Sequence, residues 1–265
     1  MKIKLPPNQF KSIINAGMLM KNKDPFVNPL PIIFTPEGMV ITSKFSNAMG
    51  FWMNIDKTGF TEYEVEKEEV VSVPHIFVER LNWGFKDKEI SLSTKKGTLH
   101  LDGKYDHYDK EMPILEPITT PFEMTTTEYG LTPANYDFKN SKLLTPNDPR
   151  PKKIEFLSAV QLDAKTLEFP VSKHYIFRFE KGTLSVQIPS EGNFVRTFKD
   201  IKKIAEGNIT VKVDGSFYER EVANLDGEIT LIIDDNRLMF FEKGEHHQKT
   251  YMLGTKILKS EREKN

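Results

Sequence analysis

The sequence predicts an α+β fold made of two tandem copies of one antiparallel domain. Three observations carry this. Most of the chain alternates apolar and polar residues with period two, the pattern of half-buried strands, as in EISLSTKKGTLHL (89–101) and EITLIIDDNRLMFFE (228–242). Helical periodicity is confined to a few short stretches. One ordered set of features also occurs twice: EEVVSVPHIFVERLNWGFKDKEISLSTKKGTLHL (68–101) and GNITVKVDGSFYEREVANLDGEITLIIDDNRLMFFEK (207–243). Each reads as a β-branched run, a short amphipathic helix, a charged turn, a strand, a polar turn and a second strand. PIIFTPEGMVITSKF (31–45) and YIFRFEKGTLSVQIP (175–189) match in the same way, hairpin against hairpin.

In chain order, PPNQFKSIINAGM (6–18) places Phe10, Ile13, Ile14 and Gly17 on one helical face, with Asn8 as the expected cap. The helix at 73–84 starts with Pro74 in a position that suits a first turn. It groups Ile76, Phe77 and Leu81, and Gly84 ends it. DAKTLEF (163–169) and DGSFYEREVANLDG (214–227) are weaker helix candidates. Hairpin turns are expected at Pro36–Glu37–Gly38, Lys181–Gly182 and Asp234–Asp235–Asn236. Seven of the 16 prolines fall between Pro113 and Pro151, too many for a helix or a central strand. The expected division is therefore a first domain over 1–112, a connector over 113–151, a second domain over 152–258 and a tail over 259–265.

Composition narrows the function class. At 265 residues, 38% hydrophobic and 28% charged, the chain can build real cores beneath a water-compatible surface. It has no cysteine, which removes disulfides, thiolate metal sites and cysteine nucleophiles and suits a reducing, intracellular compartment. The N-terminus reads as strand and turn, and no apolar run reaches membrane length. The net charge of −1 means that binding to nucleic acid requires a local patch. No Gly-rich phosphate loop, G-x-S-x-G or H-E-x-x-H is present. His246 and His247 with Asp234, Asp235 and Glu245 lack helical spacing, and adjacent histidines on a strand point to opposite faces, so no metal is expected there. No enzyme and no cofactor are expected.

Three stretches carry a resemblance to a known family. GFTEYEVEKEEVVSVP (59–74) is similar to an acidic, tyrosine-containing strand leading into a second helix. EYGLTPANY (128–136) is similar to the partner-binding part of an interdomain loop. QKTYMLGTKI (248–257) is similar to a terminal strand and tail. In order and separation they resemble the DNA polymerase sliding clamps of the proliferating cell nuclear antigen (PCNA) type and their archaeal and viral relatives. That resemblance implies subunits joined head to tail in a closed ring, with antiparallel sheets outside and short helices lining the hole. A homotrimer is expected. Strands from Thr183 to Ile188 and from Tyr105 to Met112 are expected to pair across subunits.

The resemblance implies no catalysis. It implies a processivity factor that encircles double-stranded DNA without reading sequence, and a docking platform for DNA polymerase, other clamp-binding-motif proteins and a clamp loader in replication and repair. No membrane is involved. The DNA-facing candidates are Lys11, Lys21, Lys23, Arg80, Lys86, Lys165 and Arg220, since phosphate contacts need only positive charge. Glu79 and Asn82, with Glu219 and Glu221, depart from a basic lumen. Phe45, Tyr129, Leu131, Tyr136, Leu253, Gly254 and Thr255 are the implied partner-binding positions, and Gly254–Thr255 replaces the family's Ala-Pro. The stretch 139–153 reads as an insertion. The alternative is a clamp-fold scaffold or transcription-accessory clamp, monomeric or hetero-oligomeric, that does not act as a replication ring.

Overall fold

The computed structural model describes residues 1–20, 25, 27, 29–45, 49–75, 88–95, 98–103, 135–137, 142–144, 154–155, 158–189, 192, 194–199, 201–233 and 237–260. The chain divides into two compact units. The first comprises 1–43, 52–128 and 244–248, and the second 44–51, 129–243 and 249–265. The division falls inside the proline-rich connector.

The first unit contains β1 (Lys2–Leu5), α1 (Pro7–Gly17), β2 (Leu30–Thr35), most of β3 (Gly38–Phe45) and of β4 (Met49–Asp56), whose positions 44–45 and 49–51 belong to the second, and β5 (Glu62–Glu64), β6 (Glu69–Val73), β7 (Ile90–Lys95) and β8 (Thr98–Asp102). α1 starts one residue before the expected Asn8 cap. Pro6 is the cap residue, no side chain caps the helix, and Pro7 fills the first turn, where its missing N–H costs nothing. The predicted apolar face is the one that is buried, with Phe10, Ile13, Ile14 and Gly17 inside. The helix expected at 73–84 lies outside the described residues apart from its first positions.

In the connector and just beyond its expected end, β9 (Asn135–Asp137), β10 (Lys142–Leu144) and β11 (Ile154–Glu155) form a small antiparallel sheet in the order β11–β10–β9. The proline count argued against regular structure in this segment. These three short strands lie between the prolines, not across them.

The second unit continues with β12 (Ser158–Asp163), β13 (His174–Glu180), β14 (Thr183–Ile188), β15 (Phe194–Phe198), β16 (Lys202–Glu206), β17 (Ile209–Asp214), α2 (Gly215–Val222), β18 (Glu228–Ile233), β19 (Arg237–Lys243), β20 (His247–Gly254) and β21 (Lys256–Ser260). DAKTLEF supplies only a one-turn 3₁₀ helix, Ala164–Leu167. Asp163 caps it by accepting from the Lys165 N–H at 2.9 Å, and Asp214 caps α2 the same way through the Ser216 N–H at 2.9 Å. The β13–β14 turn is a type I′ hairpin. Lys181 and Gly182 both take positive φ, 50° and 71°, and Asn208 Oδ1 accepts the Lys181 N–H at 2.8 Å.

The duplication inferred from the sequence is present in the topology. In the first unit strands run β5–β1–β7–β8 and β4–β3–β2–β6. In the second they run β16–β12–β18–β19–β20 and β15–β14–β13–β17–β21. Each copy's first strand pairs antiparallel on both sides, with Lys2 opposite Ser93 in one and Ser158 opposite Ile233 in the other. Each unit has its own core. Ile3, Leu5, Phe10, Ile14 and Phe34 fill the first, and Tyr175, Phe177, Tyr218 and Phe240 the second. Tyr218 packs against Tyr175 with ring centroids 4.4 Å apart and donates to the Leu167 carbonyl at 2.6 Å, so its hydroxyl is satisfied.

Gly215 opens α2 against the loop before β13. A Cβ at this position would lie 1.7 Å from the Ser172 carbonyl oxygen, which is backbone and cannot rotate away. Gly215→Ala is therefore expected to cost about 1–3 kcal/mol by overpacking. The check is a lowered urea midpoint with an unchanged m-value.

Candidate functional site

Three surfaces bear on function: the helices, the tail with the connector, and the edge of the second unit's outer sheet. α1 presents Lys11, half-exposed, beside exposed Ser12. The 3₁₀ turn presents Lys165 fully to solvent. Arg220 lies in α2 but is only 8% exposed, so it offers no charge to a phosphate and leaves the set of DNA-facing candidates. The reason is geometric. α2 is eight residues long, and positions 218, 220, 221 and 222 are all turned inward. Lys21, Lys23, Arg80 and Lys86 lie outside the described residues.

Glu221, which the sequence placed on the lumen side, is instead fully buried. Neither carboxylate oxygen has a hydrogen bond of good geometry. Burial pushes its carboxyl well above the ordinary range, and the Met252 backbone N–H offsets this only in part. Tyr251 lies beside it, also buried, and donates to the Asn224 carbonyl at 3.3 Å. Glu242 is satisfied separately, by Lys249 Nζ at 2.8 Å and the Asp226 N–H at 3.2 Å. Nothing in the sequence distinguished Glu221 from its neighbour Glu219.

On the tail, Leu253 is buried in β20 and serves the core, while Gly254 and Thr255 are half-buried. Tyr136 sits on β9, opposite Leu143. Phe45 ends β3. Tyr129 and Leu131 lie outside the described residues, as do Asp234 and Asp235. Among the described residues no group of three or more His, Asp or Glu is arranged to hold a metal ion. No helix of the described residues is long and apolar enough to cross a membrane.

The free sheet edge is not where the sequence reading put it. β14 (Thr183–Ile188) is paired on both sides, with β13 and with β15, and has no edge to offer. The edges of that sheet are β21 and, beside β14, β15, whose outer side has no partner among the described residues. Phe194 is 47% and Val195 53% exposed there. Arg196 stands over the adjoining rings of Phe169 and Phe198, at 5.9 and 5.2 Å from their centroids. This cation–π pair fixes the strand against the core. FVRTF is too short and too polar for its edge position to be read from alternation alone.

Two tandem copies of an α+β domain, each of paired antiparallel sheets with short helices, define the DNA-clamp class of fold. Solved structures make the likeness particular. A PCNA2–PCNA3 complex from Sulfolobus tokodaii matches with a TM-score of 0.67 at 15% identity, covering 97% of this chain and 99% of that one. PCNA from A. fulgidus, bound to the C-terminal region of FEN-1, matches with a TM-score of 0.68 at 15% identity, covering 98% and 99%. PCNA from Entamoeba histolytica matches with a TM-score of 0.67 at 12% identity, covering 96% and 98%. The chain thus has the fold of the PCNA sliding clamps from end to end. No family model matches the sequence. No curated protein matches it.

Proposed function

We propose that this protein is a DNA sliding clamp: a head-to-tail homotrimeric ring around duplex DNA that acts as a processivity factor and as a docking platform for polymerase and other clamp-binding-motif proteins. The observation that carries the reading is the open β15 edge, with exposed Phe194 and Val195, on a chain with a clamp fold over nearly its whole length. A strand with unpaired backbone groups and exposed Phe194 and Val195 is a template for strand addition, and a heterologous contact that closes makes a ring. The first domain's terminal segment, 105–112, is the proposed complement. The neighbours support assembly and client docking by analogy, since one is a complex of two clamp chains and another holds a client's C-terminal segment. The protein acts inside the cell, with DNA, and needs a loader to open the ring.

Lys11 and Lys165 are the proposed phosphate contacts on the described helices, with Lys21, Lys23, Arg80 and Lys86 as further candidates. Two exposed cations make a weak grip, which topological closure tolerates. That same sparseness favours the second reading, a clamp-fold scaffold or transcription accessory that forms no replication ring. Loading onto nicked circular DNA separates the two. A ring stays on the circle and leaves it once the circle is cut. A scaffold is not retained on either form. Lys11→Ala with Lys165→Ala is expected to lower the salt slope of DNA binding by about two, measured by affinity across a salt series, while the retention on closed circles persists.

A further inference from the structure

The β13–β14–β15–β17–β21 sheet packs its inner face on the core and against α2, through β13 and β17. Its outer face carries a basic cluster that the clamp reading does not use. Lys212 on β17 stands directly opposite Lys256 on β21, and Ile176 stands opposite Lys212 on the other side. Arg178 lies two residues along β13 and is exposed, as is Lys256. Like charges opposite each other across a ladder are destabilising. Four lysines elsewhere on the described strands have carboxylate partners: Lys2 and Lys4 share Glu62, Lys203 has Glu206 and Lys249 has Glu242. Arg178, Lys212 and Lys256 have none among the described residues. The nearest acidic groups on this face have other partners. Asp214 caps α2 by accepting from Ser216, and Glu180 sits at the hairpin end of β13.

We propose that this face is a docking surface for an acidic peptide segment of a partner protein. Charge complementarity selects an anion, and two further features select peptide over nucleic acid. Apart from His174, which stands opposite Asp214, the outward rows contain Ile176, Gln187, Val195, Arg178, Ser185 and Thr197, with no Phe, Tyr or Trp ring among the described residues on which a base can stack. Leu258, two residues beyond Lys256, is 48% exposed and supplies an apolar contact beside the cations. The segment is thus acidic with interspersed aliphatic residues, and it binds in a salt-dependent way. The surface belongs to one unit and does not depend on the ring.

The probe is a fluorescein-labelled peptide of repeating Glu-Glu-Leu, titrated with the full chain at low and high salt, beside a labelled single-stranded oligothymidylate. The peptide is expected to bind, with affinity falling as salt rises. The triple variant Arg178→Glu, Lys212→Glu, Lys256→Glu is expected to bind it about tenfold or more weakly. Lys212→Glu alone separates docking from folding, because it converts the opposed pair into an attractive one. Its melting temperature should rise while peptide affinity falls. Unchanged peptide binding by the triple variant overturns the proposal. So does Lys212→Glu lowering both quantities together, or oligothymidylate binding this face while the peptide does not.

Discussion

Phe194→Glu combined with Val195→Glu is expected to convert the assembled protein to single chains. In the free subunit these side chains are 47% and 53% exposed on the open edge of β15. Burying each against a neighbour's strand is worth about 1.5 kcal/mol or more. Losing both, and placing carboxylates in a dry ladder, removes about 3 kcal/mol per interface, roughly a hundredfold in association. Light scattering over a wide concentration range reads the outcome: a trimer mass for the native sequence and a monomer mass for the variant. Thr183→Glu is the matched control, because Thr183 is also exposed but belongs to β14, which is already paired on both sides. It should leave the mass unchanged. An assembled double variant, or a native chain that is monomeric at every concentration, removes β15 as the subunit edge.

Glu221→Gln is expected to stabilise the protein, increasingly so as pH rises. Glu221 is 0% exposed on α2. The groups facing it are Tyr251 and the Met252 N–H of β20, with Glu242 of β19 near Tyr251 and already engaged by Lys249. Among the described residues no cation is positioned to favour its charge. Its carboxyl is raised in the folded state by burial, so between the ordinary glutamate range and that raised value the unfolded chain loses its proton while the folded chain keeps it. Stability is therefore full in acid and declines as pH rises through that window. A neutral amide of the same shape removes the decline. The gain grows across that window by up to about 1.4 kcal/mol per pH unit. Thermal melts from pH 5 to 9 test it. Asp56 and Glu62 are shifted the other way, Asp56 by hydrogen bonds from Thr58 and Glu62 by those from Lys2 and Lys4. They act only on the acid side and do not overlap. Parallel melting curves for the two proteins would show that Glu221 keeps no proton.

The hairpins and the duplication were legible because each depends on neighbouring residues. Alternation marks a strand whatever lies across the domain. The direction in which a side chain of a very short helix points was not legible. In a helix Glu219, Arg220 and Glu221 point about 100° apart in turn, and only tertiary packing decides that Arg220 and Glu221 go inside. The tail shows the same limit. Leu253 lies in a motif similar to a docking tail, but its place on β20 commits it to the core. Edge and interior strands were confused for a related reason. Position within a sheet is a property of pairing partners, and Thr183–Ile188 contains no residue that reveals a neighbour on its second side.

The central place of β1 has a consequence for synthesis. Its partner β7 lies far downstream, with Lys2 opposite Ser93, so the strand waits until most of the first domain has left the ribosome. At ordinary elongation rates that is roughly 5 to 20 seconds, far longer than a hairpin such as β2–β3 needs to close. The delay is tolerable because β1 has little to hide. Only Ile3 and Leu5 are buried among its four residues, and Lys2 and Lys4 keep the waiting segment charged. Its sequence thus suits a strand that forms late, and the nascent chain carries its more apolar hairpins already paired by the time β7 arrives.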